Sequence, residues 1–459
     1  TNNTATDTTT ATMTTATAPL VPTGGFDQDS FEHLLAGESL PDWAVEKRRA
    51  AFTAVERLRL PDRRSENWMR TDLRLFKPAA WGLRPSGAVS AVADGLLAGA
   101  IMKSPEGGLA GRLVSLDGHV VREELDPAAA GKGVLFGSAE RLLAEHGDVF
   151  AEHWFSAIDS AGDWFAALHG AFHRASAVVY VPPGVRIAEP LSVMAAISEG
   201  GVDTSHVLVV LGEGAEATLL TETSGGGGAG TAGGFHCGGT EIIVGRGGFL
   251  RMVNLQNWNT GVWHVARQKA VVHESGRLQW TLGALGSRLS QVAQDVALVG
   301  RHADVQVNGV LFTEGRQHLV YNTLQHHEAP SCKSDLLYKG ALQDRSRLVW
   351  RGMIKVDKAA QKTDGYQRND TLMLSHESRA DSIPGLEIEA DDVRCTHGAT
   401  SGRVDGEQIF YAQSRGLTAD EAARLVVAGF FQQIFDRITI LPVREALAQA
   451  VGSRIRRIS

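Results

Sequence analysis

The sequence predicts a mainly β protein in which a β-helix core is flanked by an N-terminal and a C-terminal helical domain. Short β-branched runs follow one another from Ala177 to about Ile388, with no helical pattern between them. Glycine-rich or charged turns separate these runs at gaps of roughly 30 residues that lengthen toward the end. Helical periodicity occurs only before and after this region. Stacked coils of a β-helix produce this pattern, although a β-sandwich has similar strands and stays open as an alternative.

The N-terminal part is expected to contain a tail and a helical domain. Residues 1–25 are mainly threonine and alanine with almost no charge, which predicts a disordered tail. Residues 26–175 are expected to form a helical domain with some short strands. Its clearest helix ends before Pro61 and has one apolar face. That face consists of Trp43, Ala50, Ala51, Ala54, Val55 and Leu58.

The β-helix core is expected over residues 176–405. Its clearest predicted strands are 207–211, 218–221, 241–244, 249–253, 279–282, 305–310, 348–356 and 386–388. A glycine-rich insertion at 224–234 has Gly225, Gly227 and Gly230 in the spacing GxGxxG. No helical pattern follows it, so a flexible loop is favoured over a phosphate-binding turn. No GxxxxGK[ST] sequence occurs, so no P-loop site for ATP is predicted.

Residues 406–459 are expected to form the C-terminal helical domain. Thr418 and Glu421 have the spacing of a capping box, and an apolar stripe at helical spacing follows them. Pro442 begins a second helix. Such a stripe is normally core, but two helices leave part of it for a partner. The positions predicted to bind a partner are Val427, Phe430, Phe431 and Ile434.

A cysteine and a histidine stand two positions apart in the segment 386–400. A corner at 391–392 separates two short predicted strands, and after it Cys395 and His397 point to the same side. A thiolate and an imidazole are good ligands for iron or zinc. Two ligands are half of a tetrahedral shell, so a metal held here requires groups from elsewhere. The alternative that the pattern leaves open is that both residues are buried in the core.

Composition and missing motifs exclude several classes of function. A net charge of −7 and a pI near 6.1 give no overall attraction to nucleic acid or to an anionic membrane. The apolar runs fall far short of the ~20 residues that span a bilayer. The scattered aspartates disfavour a β-helical polysaccharide lyase or hydrolase, and neither HExxH nor GxSxG occurs. His318 and the run 326–328 are interpreted as surface or turn residues.

The number and spacing of the cysteines indicate the redox state of the compartment in which the protein works. Three widely separated cysteines do not form a disulfide framework, which favours a reducing, cytoplasmic environment. Cys237 and Cys332 are expected to be packing residues.

Several motifs resemble the SufD family of the iron-sulfur cluster assembly machinery and stand in that family's order. They are SDLLYKG (334–340), AQKTD (360–364), LEI (386–388), ADDV (390–393), CTHGAT (395–400) and SRG (414–416). Weaker similarity in ENWMRTDL (66–73) and VVYVP (178–182) extends the resemblance to nearly the whole chain beyond residue 25.

This resemblance implies a right-handed β-helix with flanking helical domains and a non-catalytic subunit of a cluster assembly complex. The implied partners are a SufB-like paralogue, as a heterodimer, and a SufC-like ATPase that the C-terminal helices bind. His397, with Cys395 beside it, is implied to help form a transient iron or iron-sulfur site shared with the paralogue. If the pair faces inward, ATP-driven movement of the helical domains has to open the site. The resemblance leaves open whether a flavin binds the complex and whether the isolated chain forms a homodimer.

Two alternatives remain beside the SufD-like interpretation. SufB-like chains carry a cysteine in the stretch corresponding to 366–370 and an acidic residue near the histidine of the later motif. This sequence has no cysteine at 366–370 and reads CTHG at 395–398, which favours SufD. A β-helical carbohydrate-active enzyme, the alternative from another class, predicts polysaccharide binding by the isolated chain. Hydropathy excludes a membrane transporter component.

Overall fold

The protein is described by a computed structural model that covers residues 25–84, 92, 94–105 and 107–455. The predicted disordered tail therefore lies almost entirely outside the described residues. The α-helices in the described ranges are α1 Gln28–Ala36, α2 Asp42–Arg57, α3 Leu96–Met102, α4 Pro127–Ala130, α5 Ala139–Glu145, α6 Gly147–Phe150, α7 Trp164–Phe172, α8 Gly406–Ser414, α9 Ala419–Phe435 and α10 Leu441–Gly452. Short 3-10 helices occupy Glu66–Trp68 and Pro78–Ala80.

Most of the remaining chain is β-strand. The first ten strands are β1 Gly111–Leu116, β2 His119–Leu125, β3 Leu135–Ser138, β4 Ala177–Val181, β5 Leu191–Ile197, β6 Gly201–Asp203, β7 His206–Leu211, β8 Glu216–Gly225, β9 Gly234–Val244 and β10 Phe249–Trp258. The later ones are β11 Val262–Val272, β12 Arg277–Ala284, β13 Leu289–Leu298, β14 Asp304–Thr313, β15 His318–His327, β16 Lys333–Leu342, β17 Arg347–Val356, β18 Asp364–Met373, β19 Arg379–Ile388 and β20 Arg394–Arg403.

The strands form two long sheets that face each other as a parallel β-helix of about eight coils, which confirms the predicted architecture. The first sheet has the order β2-β1-β5-β8-β10-β12-β14-β16-β18-β20. The second sheet has the order β19-β17-β15-β13-β11-β9-β7-β4-β3. From β7 onward, successive strands alternate between the two sheets, so each of these strands pairs in parallel with the strand two further along the chain. Apolar side chains from both sheets meet in a continuous core inside the coils.

Coil length follows the spacing that the turns predict. Strands of the second sheet begin at Gly234, Val262, Leu289, His318, Arg347 and Arg379. The last interval is the longest because its two turns, at 357–363 and 374–378, are both longer than the corresponding turns of the preceding coil at 328–332 and 343–346. The prediction of surface or turn residues is wrong for His327, which is fully buried within β15. His318 and His326 are half-buried on the same strand, and Glu328 is exposed just after it.

The N-terminal helices cover the second sheet. Phe31 and Phe52 stack at 4.3 Å between ring centroids and pack with Phe172 against the outer face of β9, β11 and β13. On α2, Ala50 is exposed and Arg48 is buried, contrary to the predicted apolar face. The guanidinium of Arg48 donates to the carbonyl oxygen of His173 at 2.8 Å and pairs with Glu38 at 3.0 Å, which explains its burial. Strands β1 to β3, which precede residue 176, also join the two sheets.

The C-terminal helices cover the first sheet. Thr418 and Glu421 form the predicted capping box at the start of α9, and Pro442 lies in the first turn of α10. The described part of this domain has three helices rather than two, because α8 precedes the capping box. In the stretches that the structure describes, no helix is both long enough and apolar enough to cross a membrane.

Candidate metal-binding site on the terminal coil

Strands β19 and β20 form the last coil of the β-helix, called here the terminal coil. Within the described residues each pairs on one side only, β19 with β17 and β20 with β18. Every residue of both strands is exposed or half-buried, whereas half or more of the residues in β16 and β17 are buried. At the opposite end, the antiparallel strands β2 and β3 end the two sheets. Because stacked repeats require a cap, an open coil with free strand edges indicates an interaction surface.

Cys395 and His397 lie on the same face of β20, as the two-residue period predicts. Their neighbours in register on β18 are Gly365 and Gln367, which are buried and face the inside of the β-helix. The predicted corner is also present, because β19 ends at Ile388 and β20 begins at Arg394. Both candidate ligands therefore belong to the inward face of the terminal coil.

The two side chains differ in their surroundings. Cys395 is half-buried against a small apolar cluster that includes Ile354 and Ala390. A Cβ placed on Gly365 would lie 3.3 Å from the Cys395 Sγ, so this glycine leaves room for the sulfur. His397 is exposed. Since the terminal coil leaves this inward face uncovered, the expected opening movement is not needed to expose the imidazole.

Local electrostatics keep the thiol protonated in the isolated chain. Burial raises the pKa of Cys395, and the nearby Asp364 carboxylate raises it further. A hydrogen bond from the Gly365 backbone acts in the opposite direction. Metal binding requires the thiolate, so a bound cation has to supply the charge that stabilises it.

The two donors do not complete a metal site by themselves. Among the described residues, no group of three or more histidine, cysteine, aspartate or glutamate side chains is arranged to hold a metal. A thiolate and an imidazole supply half of a tetrahedral shell for iron or zinc. The geometry thus allows the terminal coil to contribute two ligands to a site that another molecule completes.

The predicted partner-binding stripe is largely covered. Val427, Phe431 and Ile434 are fully buried against the outer face of the first sheet, and Phe430 is half-buried over Lys339. This corrects the expected exposure of the first three, because the β-helix itself covers their side of α9.

The sequence analysis missed the exposed apolar residues of the same domain. Phe410 is 72% exposed, Tyr411 59% and Leu425 60%. The signal available in the sequence was the pair of adjacent aromatic residues, Phe410 and Tyr411. In the structure they lie on α8, in which only Ala412 is buried. Leu441 at the start of α10 is also exposed. The three residues of α8 and α9, called here the helical-domain patch, are exposed apolar side chains that a docking protein could contact.

Fold and site together define a β-helical protein whose open end presents a cysteine thiol and a histidine imidazole. Comparison with known proteins agrees with this class. Residues 194–430 match the family described as SUF system FeS cluster assembly, SufBD core domain, and residues 110–193 match the SufBD protein N-terminal region. The chain belongs to the SufBD family of iron-sulfur cluster assembly proteins.

Individual relatives are identical to this chain at somewhat more than a quarter of the aligned positions. An iron-sulfur cluster assembly SufBD family protein of Staphylococcus haemolyticus is 28% identical over 325 residues, which is 71% of this chain and 70% of the relative. Iron-sulfur cluster assembly protein SufB of Bacillus subtilis is 28% identical over 333 residues, with the same coverage of each chain. A SufBD family protein of Staphylococcus aureus MRSA252 is 27% identical over 325 residues.

Proposed function

We propose that this chain is a SufD-like, non-catalytic subunit that pairs with a SufB-like paralogue through its terminal coil. The observation that carries the proposal is the exposure of both strands of that coil together with Cys395 and His397. The paralogue covers the open end and adds the missing ligands, so that an iron or iron-sulfur cargo is held between the two proteins. The cargo is transient, because neither protein encloses it alone.

The SufD-like assignment rests on residues beside the terminal coil. In the resemblance, SufB-like chains have a cysteine in the stretch that corresponds to 366–370. Here this stretch lies on β18, where Gln367 is the register neighbour of His397, and it contains no cysteine. A SufB-like scaffold would place a further thiol on the strand next to the pair. This chain offers an amide there, which suits a subunit that contributes part of a ligand set.

The helical domain supplies the contact with a SufC-like ATPase. The helical-domain patch is exposed, and Phe430 at its buried side is only half-buried, so an ATPase contacts the exposed surface of α8 and α9. The domain boundaries at 175 and 405 and a reducing, cytoplasmic compartment are parts of the same proposal. Three free cysteines and a nascent iron-sulfur site both suit such a compartment.

Separate Cys395→Ala and His397→Ala variants, purified with both partners, test the proposal. Cluster yield and complex formation are measured on the same samples. His273→Ala is the matched control, because His273 is an exposed turn histidine of the same β-helix. We expect both site variants to assemble the complex, His397→Ala to lose more cluster than Cys395→Ala, and the control to match the wild type.

The proposal fails if both site variants form clusters at the wild-type level. It also fails if the isolated chain binds polysaccharide and no SufB-like protein, which is the outcome that the carbohydrate-active alternative predicts. A stable homodimer that excludes the paralogue would contradict the pairing.

A further inference from the structure

A basic segment, residues 58–77, connects α2 to the 3-10 helix at Pro78–Ala80. Six of its residues are arginine or lysine and three are acidic, so the segment has a net charge of +3. The whole chain, in contrast, carries a net charge of −7. The basic residues are Arg59, Arg63, Arg64, Arg70, Arg74 and Lys77.

The basic segment is fixed to the outer face of the second sheet as far as the terminal coil. On β13, the Gln291 side-chain amide donates to the carbonyl oxygen of Asn67 at 2.8 Å. On β17, the guanidinium of Arg351 donates to the side-chain oxygen of Asn67 at 2.9 Å. On β19, Asp381 lies 3.8 Å from the guanidinium of Arg70. Because contacts on three strands hold the segment, its exposed side chains form an ordered surface beside the open end of the β-helix.

Half of the basic side chains lack a carboxylate partner. Arg59, Arg64 and Lys77 are exposed, and within the ranges that the structure covers none of them forms an ion pair. The other three basic residues of the segment lie within 4.0 Å of Asp72 or Asp381. Unpaired cationic groups held on a fixed surface give it a positive potential and attract a partner of opposite charge.

Two large apolar side chains lie between Arg64 and Lys77 in the same segment. Met69 is 50% exposed and Leu75 is 66% exposed. Exposed apolar side chains that charged residues surround are typical of a protein interaction site. The two apolar residues and the three unpaired cationic residues are called here the basic surface.

We propose that the basic surface binds an acidic segment of another protein. Carboxylates of that segment pair with the three free cationic groups, and its apolar side chains contact Met69 and Leu75. The chain's own residues 1–24 do not fit, because Asp7 is their only charged residue. A nucleic acid is disfavoured, because phosphate contacts leave the two apolar side chains without a role and the rest of the chain is acidic.

This surface is separate from the candidate ligands and from the helical-domain patch. Its cationic residues lie in the N-terminal domain, whereas Cys395 and His397 lie on β20 and the patch lies on α8 and α9. The inference therefore adds a third binding surface to the two in the proposed assembly function. It does not depend on the metal ligands.

Fluorescence anisotropy of the full chain with a labelled peptide, in which glutamates surround two leucines, tests the proposal. One matched peptide has glutamine in place of glutamate, and another has serine in place of leucine. Labelled single-stranded DNA of the same net charge tests recognition of nucleic acid. All titrations are made at about 0.1 M salt, where charges more than about 10 Å apart are largely screened.

Two variants alter the basic surface without touching a buried side chain. The charge-reversal variant combines Arg59→Glu, Arg64→Glu and Lys77→Glu. The apolar variant combines Met69→Ser and Leu75→Ser. Circular dichroism checks that both variants are folded.

The control variant reverses three charges elsewhere on the molecule, through Lys103→Glu, Arg301→Glu and Lys358→Glu. These residues are also exposed and form no ion pair in the part of the chain that the structure describes. Lys103 follows α3, whereas the other two lie in the turns after β13 and β17. The control therefore changes the net charge by the same amount as the charge-reversal variant.

We expect the acidic, leucine-containing peptide to bind the wild-type chain more tightly than either matched peptide or the DNA. Charge reversal should weaken this binding at least about 10-fold, because three attractive contacts become repulsive. The apolar variant should weaken it about 5-fold. The control should change it by less than about 2-fold.

Three results would overturn the proposal. One is the absence of peptide binding to the wild-type chain, and another is an equal affinity of the wild type and the folded charge-reversal variant. The third is tighter binding of the DNA than of the peptide, which would show that the surface recognises phosphates instead.

Discussion

The terminal coil offers a direct test of pairing through its two exposed aliphatic residues. Leu386 and Ile388 on β19 are register neighbours of the buried residues Ile354 and Val356, yet they are 37% and 40% exposed because no further coil covers them. We predict that Leu386→Gln combined with Ile388→Gln weakens binding to a SufB-like partner strongly. The melting temperature of the isolated chain should change little.

The magnitude follows from this exposure. Full burial of a leucine or isoleucine side chain is worth about 1.5–3 kcal/mol, so burying the remaining exposed part gives roughly 0.6–1.2 kcal/mol per residue. A glutamine amide buried without a partner costs about 1–3 kcal/mol. The pair of changes should therefore cost at least about 3 kcal/mol, which corresponds to more than about 100-fold in Kd.

Sedimentation of the two purified proteins over a concentration series measures this Kd. Met102→Gln is the control, because Met102 is similarly exposed at 38% and lies at the end of α3, away from the terminal coil. A double variant that binds the partner with the wild-type Kd would refute the assignment of this coil as the interface.

Three further predictions concern single side chains. Alkylation of Cys395 by iodoacetamide, followed by mass spectrometry, should be slow at pH 7 and accelerate above about pH 9, because burial raises the thiol pKa and only the thiolate reacts. Phe431→Ala should lower the free energy of unfolding by about 3–5 kcal/mol in urea titrations, since Phe431 is fully buried. Phe410→Ser, in contrast, should weaken ATPase binding and change the free energy of unfolding by less than about 0.5 kcal/mol. Glu241→Ala should cost about 3–5 kcal/mol in urea titrations, because the fully buried carboxylate accepts three backbone amides at 2.6–2.8 Å.

The alkylation, ATPase-binding and Glu241 predictions each have a contradicting result. Cys332 is buried and should react only in the unfolded chain, so equal alkylation of Cys332 and Cys395 in the native protein would contradict the first. An ATPase affinity unchanged by Phe410→Ser would remove α8 from the docking surface. Glu213→Gln is the control for Glu241→Ala, because Glu213 is an exposed carboxylate of the same β-helix. If Glu213→Gln lowers the free energy of unfolding as much as Glu241→Ala does, the prediction for Glu241 is contradicted.

The β-helix was predictable because its signals are local and repeated. Turn residues at nearly constant intervals and β-branched runs between them specify stacked coils, whatever the rest of the chain does. The capping box at Thr418 and the shared face of Cys395 and His397 are local in the same sense, since each depends on residues within four positions.

The predictions failed where contacts between residues distant in sequence determine whether a side chain is buried. A helical stripe such as that containing Phe431 looks the same whether a partner or the protein's own β-sheet covers it, and here the sheet does. Arg48 is buried because His173, 125 residues away, accepts its hydrogen bonds. Likewise, the two-residue period gives the direction of His397, but its exposure follows from the position of β20 in the terminal coil.

The most direct test of the central claim is the iron and acid-labile sulfide content of the complex when Cys395 and His397 are both replaced by alanine. The account predicts that the double variant still assembles with its SufB-like and SufC-like partners and that its iron and sulfide fall to the level of a complex without cluster. Iron and sulfide at the wild-type level in that complex would show that the terminal coil contributes no ligands.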